Sequence, residues 1–282
     1  MTTTLDTASP WGTYAPNRAQ RLVMAVARHS PIARGFLRKR IALRVGHDGP
    51  LDVHIFGLKV RCFPSESASE RRALMDVDNH DRHERDTILQ AAGAVASGDR
   101  FHFVDLGANT GFYTLDLAAR APDARVLALE PVSHYVDIID FNKRTNALDG
   151  VTLQQVAVSD KEGTALFDPV DQSLAQPHLN SPDASRKPYE VRTATLTQCL
   201  AEAQFDRIDA LKIDVEGYED VILFRFFEEA PQSLWPKLVV IEHICANAWQ
   251  RDCLQLLEQN GYTPIWKGRL NTIYVRNGAS DG

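Results

Sequence analysis

From about residue 100 onward, short runs of apolar and β-branched residues alternate with segments of helical periodicity. This alternation is the pattern of βαβ units, in which parallel strands are covered by helices. The expected elements are strand 101–106, helix 112–121, strand 125–129, helix 134–145, strand 151–158, strand 210–213, helix 218–229, strand 238–241, helix 251–260 and a closing hairpin of 262–266 and 272–275. The pattern predicts an α/β fold with a doubly wound, mostly parallel sheet and a C-terminal antiparallel hairpin.

An N-terminal extension precedes this alternating core. Residues 50–63 have the pattern of a small hairpin, and residues 82–96 that of a helix leading into the first core strand. We therefore predict an extension over residues 1–83 and a main domain over residues 84–282. Within the main domain, residues 169–189 contain four prolines. We expect a long loop there, of a length usually found in functional or disordered segments.

The basic residues are concentrated near the N-terminus. The chain has a net charge of −6, but residues 7–47 contain eight Lys or Arg and no Asp or Glu, which leaves −14 for the remainder. Phosphate contacts need a basic face, so the acidic body argues against nucleic-acid binding. Residues 17–44 interleave their charges with apolar residues. This pattern suits an anionic membrane surface, a packing face on the acidic body, or a contact in a homodimer.

Three features indicate a compartment. No run of 18 apolar residues occurs, so we expect no spanning helix. The N-terminus lacks a charged segment leading into an apolar stretch, so we expect no secretory signal. The spacing of the four cysteines (Cys62, Cys199, Cys245 and Cys253) matches neither a disulfide framework nor a zinc site. The sequence therefore predicts a soluble cytoplasmic protein.

The most specific motif is a strand that ends in an acid and a glycine turn, VDLGANTGFY at residues 104–113. Ligands of open α/β sheets bind at the carboxyl ends of the strands, so this turn borders the expected crevice. Dinucleotide-binding turns read G-x-G-x-x-G, whereas here Asn109 takes the place of the middle glycine. Asp105 precedes Gly107, and a carboxylate at that point would repel a pyrophosphate. It would suit a ligand with an ammonium and a sulfonium, such as S-adenosylmethionine.

Acids also follow the second and third core strands. Glu130, followed by Pro131, stands nineteen residues after Gly111. A carboxylate there can accept hydrogen bonds from both hydroxyls of a ribose. Ser159 and Asp160 end the third strand, where they would lie near an adenine edge. Asp160 then either accepts a hydrogen bond from the exocyclic amine or initiates a turn.

Carboxylates cluster after the fourth and fifth core strands. Asp214, Glu216 and Glu219 follow the fourth strand, and Glu242 and His243 end the fifth. The dipole of the helix that begins after the fourth strand accounts for one or two of these acids. It does not account for Asp214. Because neighbouring strand residues point to opposite faces, at most one of Glu242 and His243 points directly into the crevice unless the strand bends.

One other cluster looks like a metal site. His80-Asp81-Arg82-His83-Glu84 places its two histidines three residues apart, without a third ligand nearby. We interpret it as a helix start, with Asp81 as the cap and Glu84 in the first turn.

Taken together, these motifs resemble the FkbM-type family of S-adenosylmethionine-dependent methyltransferases. The matching segments are VDLGANTGFYTL (104–115), LALEP (127–131), AVSD (157–160), LKIDVEGYE (211–219) and VVIEHI (239–244). The resemblance extends from about residue 84 to residue 275, and residues 50–61 look like a stretch found in some members. One departure is ATLT at residues 194–197, where many members have Leu-Asp. The family implies a Rossmann-like class I methyltransferase that usually methylates a hydroxyl oxygen.

The resemblance also implies site residues. The cofactor S-adenosylmethionine would be held by the glycine turn, the acid of the second strand and the end of the third: Asp105, Gly107, Ala108, Asn109, Gly111, Phe112, Tyr113, Glu130, Pro131, Ser159 and Asp160. The acceptor would face the four residues Asp214, Glu216, Glu242 and His243.

An alcohol must lose its proton as its oxygen attacks the methyl group, so a positioned base can assist the reaction. His243 is the first candidate because no other histidine lies near the carboxyl end of a core strand, and Glu216 and Asp214 follow. Mg²⁺ bound by Asp214, Glu216 and Glu242 is an alternative activator. The predicted acceptor is a hydroxyl of a sugar, glycan, polyketide or related metabolite. An N-methyltransferase and an inactive cofactor-binding scaffold stay open.

Overall fold

The computed structural model describes residues 6–29, 36–45, 49–65, 67–76, 80–95, 98–168, 173–174 and 188–278. Most of the predicted loop 169–189, and residues 30–35 of the basic segment, lie outside the described residues.

The described elements follow one another in a regular order. The helices are α1 (Arg18–His29), α2 (Phe36–Val45), α3 (Ala68–Met75), α4 (Arg82–Gly93), α5 (Phe112–Arg120), α6 (Ser133–Thr145), α7 (Leu196–Glu202), α8 (Glu219–Glu229) and α9 (Cys253–Gln259). The strands are β1 (Leu51–Ile55), β2 (Leu58–Cys62), β3 (His102–Leu106), β4 (Arg125–Glu130), β5 (Val151–Gln155), β6 (Ala157–Val158), β7 (Gly163–Asp168), β8 (Ser173–Leu174), β9 (Tyr189–Ala194), β10 (Ala210–Ile213), β11 (Leu238–Glu242), β12 (Tyr262–Lys267) and β13 (Asn271–Arg276).

The central sheet has seven strands in the order β12-β13-β11-β10-β3-β4-β5. Strands β11, β10, β3, β4 and β5 are parallel, and the C-terminal pair β12–β13 is antiparallel to them at one edge. The predicted fold class is therefore confirmed. Because β3 is followed by β4 on one side and has β10 on the other, the strand order reverses beside β3. A crevice is expected at such a switch point, at the carboxyl ends of the strands.

The predicted strand 151–158 is divided in the structure. β5 ends at Gln155, and β6 leaves the central sheet to pair in parallel with β9 in a second sheet of order β6-β9-β7-β8. β7, which follows β6 in the chain, pairs with β9 and β8 and not with β6. β9 and α7 were not predicted from the sequence. A capping box formed by Thr195 and Gln198 begins α7, and it is the local signal that was overlooked.

The predicted hairpin of the extension is present as β1–β2 and packs on the main domain. Two side chains of α6 bind the backbone of β2. Asn142 accepts from the N–H of Arg61 (2.8 Å) and donates to its carbonyl (3.2 Å). Asn146 does the same with Lys59 (2.9 and 2.8 Å). One hydrophobic core runs from α1–α3 through β1–β2 into β3, α5 and β4, so the extension and the main domain share their interior.

A buried ion pair holds the start of the chain against this hairpin. Arg61 is 1% exposed, and its Nε and Nη2 donate to the two oxygens of Asp52 (2.8 and 2.9 Å). Its remaining donors reach the carbonyls of Asp6, Ser9 and Pro10. Asp52 in turn accepts from two backbone N–H groups, those of residues 12 and 14. Every charge in this pair is matched.

The basic segment contributes two faces. Met24 and Ala27 of α1 are buried in the core shared with α2 and α3. On the outer side of α1, Leu22, Val23 and Val26 are exposed. Among the described residues, no helix is both long enough and apolar enough to cross a membrane.

Candidate active site

The glycine turn after β3 is shaped by close packing. Gly107 has φ of +75°, and a Cβ there would collide with the carbonyl of Asp214. Gly111 has φ of +81°, and a Cβ there would lie 2.8 Å from Ile139. Asn109 also takes a left-handed conformation, with φ of +51°, which Asn tolerates better than most residues. The turn therefore brings its backbone against the ends of β10 and α6.

Asp105 lies inside this turn. It is fully buried, and its Oδ2 accepts from the backbone N–H (3.1 Å) and hydroxyl (2.7 Å) of Thr114. Its Oδ1 has no hydrogen-bond partner among the described residues and lies 3.6 Å from Nζ of Lys212. The contacts described for Asp105 are thus internal. One buried acceptor oxygen remains unused.

Glu130 ties the turn to the end of β4. Its Oε2 accepts from the backbone N–H of Asn109 (2.7 Å), and its Oε1 from that of Val132 (2.9 Å). The side chain is buried, and burial raises the pKa of its carboxyl to about 7 despite these two hydrogen bonds. Glu130 and Pro131 both line the cavity beside the turn.

That cavity, here called the crevice, encloses about 670 Å³, open solvent at its mouth included. It is lined by the glycine turn, the ends of β4 and β10, and an apolar wall: Leu106, Gly107, Asn109, Leu129, Glu130, Pro131, Val132, Tyr135, Val156, Ala157, Val158, Phe167, Asp214, Val215, Glu216 and Tyr218. Phe167 and Tyr135 were not predicted as site residues.

The structure does not bring Ser159 and Asp160 into the crevice. Ser159 is buried, and its N–H donates to the carbonyl of Ala194 (2.8 Å) as β6 turns toward β9. Asp160 is exposed and borders a separate surface depression. Ala157 and Val158 line the crevice in their place. The crevice wall beside β6 is therefore apolar.

A second cavity, here called the inner cavity, adjoins the crevice. It encloses about 840 Å³ and is lined from both parts of the chain: Ser67, Ala68, Ser69, Arg72, His80, Asp81, Ala108, Asn109, Thr110, Phe112, Tyr113, Tyr135, Lys212, Asp214, Glu216, Glu242, Leu270 and Asn271. Asn109, Tyr135, Asp214 and Glu216 line both cavities. Ala108, Phe112 and Tyr113, predicted as cofactor contacts, line only the inner cavity.

Lys212, which the sequence analysis missed, is the only basic residue in β10. It is buried, and its Nζ donates to the carbonyl of Gly107 (2.8 Å) and lies 3.5 Å from Oδ2 of Asp214. Burial lowers the pKa of its ammonium, but the carboxylates of Asp214 and Asp105 outweigh burial and the pKa is raised. A lysine in an otherwise apolar strand was the signal that could have identified it.

Two acids of the inner cavity, Glu216 and Glu242, have raised pKa values. Burial, together with the neighbouring carboxyl and a hydrogen bond of Asp214, raises the pKa of Glu242 to about 9. Desolvation, followed by the charge of Asp214, also raises the pKa of Glu216. Glu216 has φ of +54°, a conformation that is strained for glutamate. Such strain and raised pKa values are typical of functional sites.

The donors in this cluster do not converge as predicted for Mg²⁺. Among the described residues, two groups of three side chains have ligand atoms that all lie within 4.8 Å of one another. One group is Glu216, Glu242 and Cys245, and the other is Asp214, Glu219 and Glu242. Burial raises the pKa of the Cys245 thiol to about 11, and Mg²⁺ prefers oxygen ligands. Glu219 accepts from the N–H of Val215 (2.9 Å) and from Nε1 of Trp249 (2.7 Å). The predicted trio Asp214, Glu216 and Glu242 is not one of these groups.

His243 does not line the inner cavity or the crevice, whereas Glu242 lines the inner cavity. The two are consecutive residues at the end of β11, so their side chains diverge. The N–H of His243 donates to the carbonyl of Leu270 (2.8 Å), and its Nδ1 is buried without a partner among the described residues. Burial and the charge of Lys267 lower the pKa of its imidazole. The geometry does not support the expectation that His243 is the base.

The predicted helix start is confirmed in position: α4 begins at Arg82, Asp81 is its N-cap residue and Glu84 lies in its first turn. Asp81 has φ of +45°, however, and its side chain makes no capping hydrogen bond. Asp81 lines the inner cavity beside His80. Glu84 is buried and accepts from Nδ2 of Asn271 (2.9 Å).

Comparisons with known proteins identify a family for this chain. Residues 105–264 match the methyltransferase FkbM domain. Methyltransferase sdnD of Sordaria araneosa is 28% identical over 194 residues, which cover 56% of this chain and 72% of that protein.

Two solved methyltransferase structures overlap with the chain at lower identity. Human methyltransferase 10 domain containing protein aligns with a TM-score of 0.47 and 15% identity over 91% of this chain and 94% of that chain. Precorrin-6y C5,15-methyltransferase from Geobacter metallireducens GS-15 aligns with a TM-score of 0.39 and 14% identity over 69% and 86%.

Proposed function

The chain belongs to the FkbM methyltransferase family, and from that premise we propose that it transfers a methyl group from S-adenosylmethionine to a hydroxyl of a sugar, glycan, polyketide or related metabolite. The observation that carries this proposal is the junction of two cavities. The crevice and the inner cavity share Asn109, Asp214 and Glu216. An acceptor in the inner cavity would therefore meet the crevice beside two carboxyl groups.

The crevice has the chemistry that S-adenosylmethionine requires. Gly107 and Asn109 of the glycine turn line the crevice, so the turn can present its backbone to a ligand there. Glu130 offers a carboxylate for ribose hydroxyls, and Val156, Ala157 and Val158 offer an apolar wall for the adenine. Asp105 retains one unused buried acceptor. When bound, S-adenosylmethionine supplies an electrophilic methyl group on a sulfonium.

The chain's own groups would then manage the proton of the acceptor hydroxyl. We assign Asp214 as the group that accepts it, with Glu216 as the second candidate, because both reach the junction. The ammonium of Lys212 lies 3.5 Å from Asp214 and orients its carboxylate. The raised pKa of Glu242 keeps it protonated at neutral pH, so it donates a hydrogen bond to Asp214. General base assistance of this kind typically contributes about 10²–10⁴-fold.

The cofactor part of the proposal is tested by thermal unfolding and calorimetric binding with S-adenosylhomocysteine. A ligand at about 100 times its Kd adds about 2.7 kcal/mol to the free energy of unfolding. For a chain of this size the expected rise in Tm is roughly 5–10 °C. Glu130→Gln should remove most of the binding.

Asp149→Asn is the matched control, because Asp149 is exposed and precedes β5 at the opposite end of the sheet. The unliganded Tm of each variant shows that it is folded. Absence of binding by the folded wild type would overturn the cofactor assignment. Transfer of labelled methyl to amines but not to alcohols would overturn the acceptor assignment.

A further inference from the structure

A basic groove continues from the inner cavity toward the surface. This outer groove encloses about 1760 Å³, open solvent included, and its walls come from α3, the start of α4 and the β12–β13 turn: Arg38, Ala68, Arg71, Arg72, Met75, Asp76, His80, Asp81, Arg82, His83, Glu84, Trp266, Arg269 and Leu270. Five of these residues are arginines. The rest of the chain outside the N-terminal segment is acidic, so the concentration of guanidinium groups requires an explanation.

Two of these arginines have no acidic partner in the part of the chain that the structure describes. Arg72 and Arg269 are exposed, and within the described part of the chain no carboxylate oxygen lies within 4.0 Å of either guanidinium. Arg71 donates to the carbonyl of Pro64 (2.8 Å). Burial lowers the pKa of the Arg71 guanidinium, and the charge of Glu70 opposes this shift in part. Among the described residues, the groove therefore has guanidinium groups without an ion-pair partner.

Two of the three acids in the groove are already engaged. Asp76 lies 3.7 Å from the Nη1 of Arg38. Glu84 is buried and accepts from Asn271. Asp81 remains, at the point where the outer groove meets the inner cavity. Arg72 and Arg269 thus face the groove without a carboxylate partner among the described residues, and Arg71 beside them has only partial compensation from the charge of Glu70. This is more positive charge than the one remaining carboxylate, that of Asp81, would neutralise.

The groove is continuous with the site of methyl transfer. Ala68, Arg72, His80, Asp81 and Leu270 line both the outer groove and the inner cavity. An acceptor whose hydroxyl reaches Asp214 would therefore extend past Arg72 into the groove. Trp266 gives this path an aromatic surface, in contact with the His83 ring at a centroid distance of 4.5 Å.

We propose that the acceptor is phosphorylated, and that Arg71, Arg72 and Arg269 bind its phosphate in the outer groove while its hydroxyl lies beside Asp214. This inference rests on the proposed function, because it assigns the acceptor class of the same site. A phosphate monoester carries about −1.5 to −2 charges near neutral pH. Arginine binds phosphate through two parallel hydrogen bonds, which fixes the orientation of the ligand as well as its affinity.

The phosphate can belong to a soluble sugar phosphate or to a lipid-linked headgroup. Arg38 of α2 lines the groove, so the groove borders the helices of the basic segment. α1, in the same segment, exposes Leu22, Val23 and Val26, which would suit a membrane surface. Both sources present the same chemistry to the arginines, and separate arms of one experiment distinguish them.

The experiment measures binding to the full chain saturated with S-adenosylhomocysteine. The soluble probes are inorganic pyrophosphate and glucose 1-phosphate, with glucose as the uncharged counterpart. The lipid probe is a phosphatidylcholine vesicle doped with a polyprenyl phosphate, with undoped vesicles as the counterpart. We expect the phosphorylated probe of one arm to bind, and to bind more weakly as salt rises. Arg72→Gln and Arg269→Gln should each weaken binding by about 10- to 100-fold.

Arg144→Gln is the control, because Arg144 is an exposed arginine of α6 that does not line the groove. All three substitutions should leave the Tm and the binding of S-adenosylhomocysteine unchanged. Phosphates that bind no better than their uncharged counterparts, or that bind equally well to both groove variants, would overturn the inference. If S-adenosylhomocysteine itself fails to bind, the proposed function fails, and that result is read from a separate titration.

Discussion

Two charged clusters in this protein are built in opposite ways. In the extension, Arg61 and Asp52 are almost fully buried, and their donors and acceptors are satisfied by each other and by backbone groups. At the ends of the parallel strands, Lys212 is the lysine that faces the acids Asp105, Asp214 and Glu242. The first cluster is balanced, and the second has an excess of carboxyl groups.

The difference separates a structural role from a chemical one. A balanced buried pair gives the native state a unique arrangement, and removing one partner leaves the other charge buried and unpaired. In the second cluster, burial, followed by the charges of neighbouring carboxyl groups, raises the pKa values of Glu242 and Glu216. Such a cluster lowers stability at neutral pH and provides groups that can exchange protons. Substitutions should therefore affect folding in the first cluster and turnover in the second.

Asp214→Asn should give the largest effect. Loss of the group that accepts the proton is expected to lower kcat by about 10²–10⁴-fold, with the free energy of unfolding unchanged or increased because one of several crowded acids is removed. A methyl-transfer assay checks the fall in kcat, and urea unfolding of the same preparation checks the free energy of unfolding. The Asp149→Asn control should change neither. A fall in stability that matches the fall in activity would place Asp214 with the structural cluster.

Arg61→Ala should give the converse result. The substitution leaves Asp52 buried without its partner, so the free energy of unfolding should fall by about 3–5 kcal/mol. Denaturant unfolding measures this loss, and the double variant Asp52→Asn with Arg61→Ala should lose less than the sum of the single variants. Arg144→Ala, which removes an exposed ion pair within α6, should cost less than about 1 kcal/mol. A loss of that small size at Arg61 would contradict the structural role.

Glu242→Gln should change how the stability of the protein depends on pH. At any one pH, its effect should be smaller than those of the two substitutions above. The pKa of Glu242 is raised from 4.5 to about 9 in the folded state, so the folded state binds more protons than the unfolded state between those values. Its contribution to stability is therefore present below the unfolded pKa and is lost as pH rises through the folded pKa. Glu130, with a pKa raised to about 7, adds a similar loss at lower pH.

The measurement is the Tm of the wild type and of Glu242→Gln as a function of pH. The pH range of 6 to 9 covers the two raised pKa values, about 7 for Glu130 and about 9 for Glu242. The variant should show the flatter profile above pH 7, the pKa of Glu130. Parallel profiles would show that Glu242 titrates as an ordinary exposed carboxyl.

The sequence was sufficient for the parts of the fold and site that depend on local patterns. The glycine turn, the acid at Glu130 and the carboxylates after β10 are each read from a few consecutive residues, and the parallel strands bring them to one edge of the sheet. A resemblance in the same motifs led to the family that the domain match supports.

The remaining features depend on pairing between distant segments. Asp160 lies away from the crevice because β6 leaves the central sheet for β9, more than thirty residues later in the chain. The choice between Glu242 and His243 follows from how β11 ends, and alternation alone leaves the facing residue undetermined. Arg72 and Asp81 reach the inner cavity only because the extension packs over it, and nothing in their own neighbourhood of the sequence indicates that position.

The asparagine amides of α6 also protect the chain from self-association. A two-stranded hairpin exposes unpaired N–H and C=O groups along both edges, and such edges are templates for strands of other molecules. Here Asn142 and Asn146 occupy the free groups of Arg61 and Lys59 on one edge. On the other edge, the N–H of Asp52 donates to the carbonyl of Tyr14 (2.9 Å). Backbone groups on both edges of the hairpin are thereby hydrogen-bonded without a third strand, which leaves fewer sites for intermolecular β-pairing.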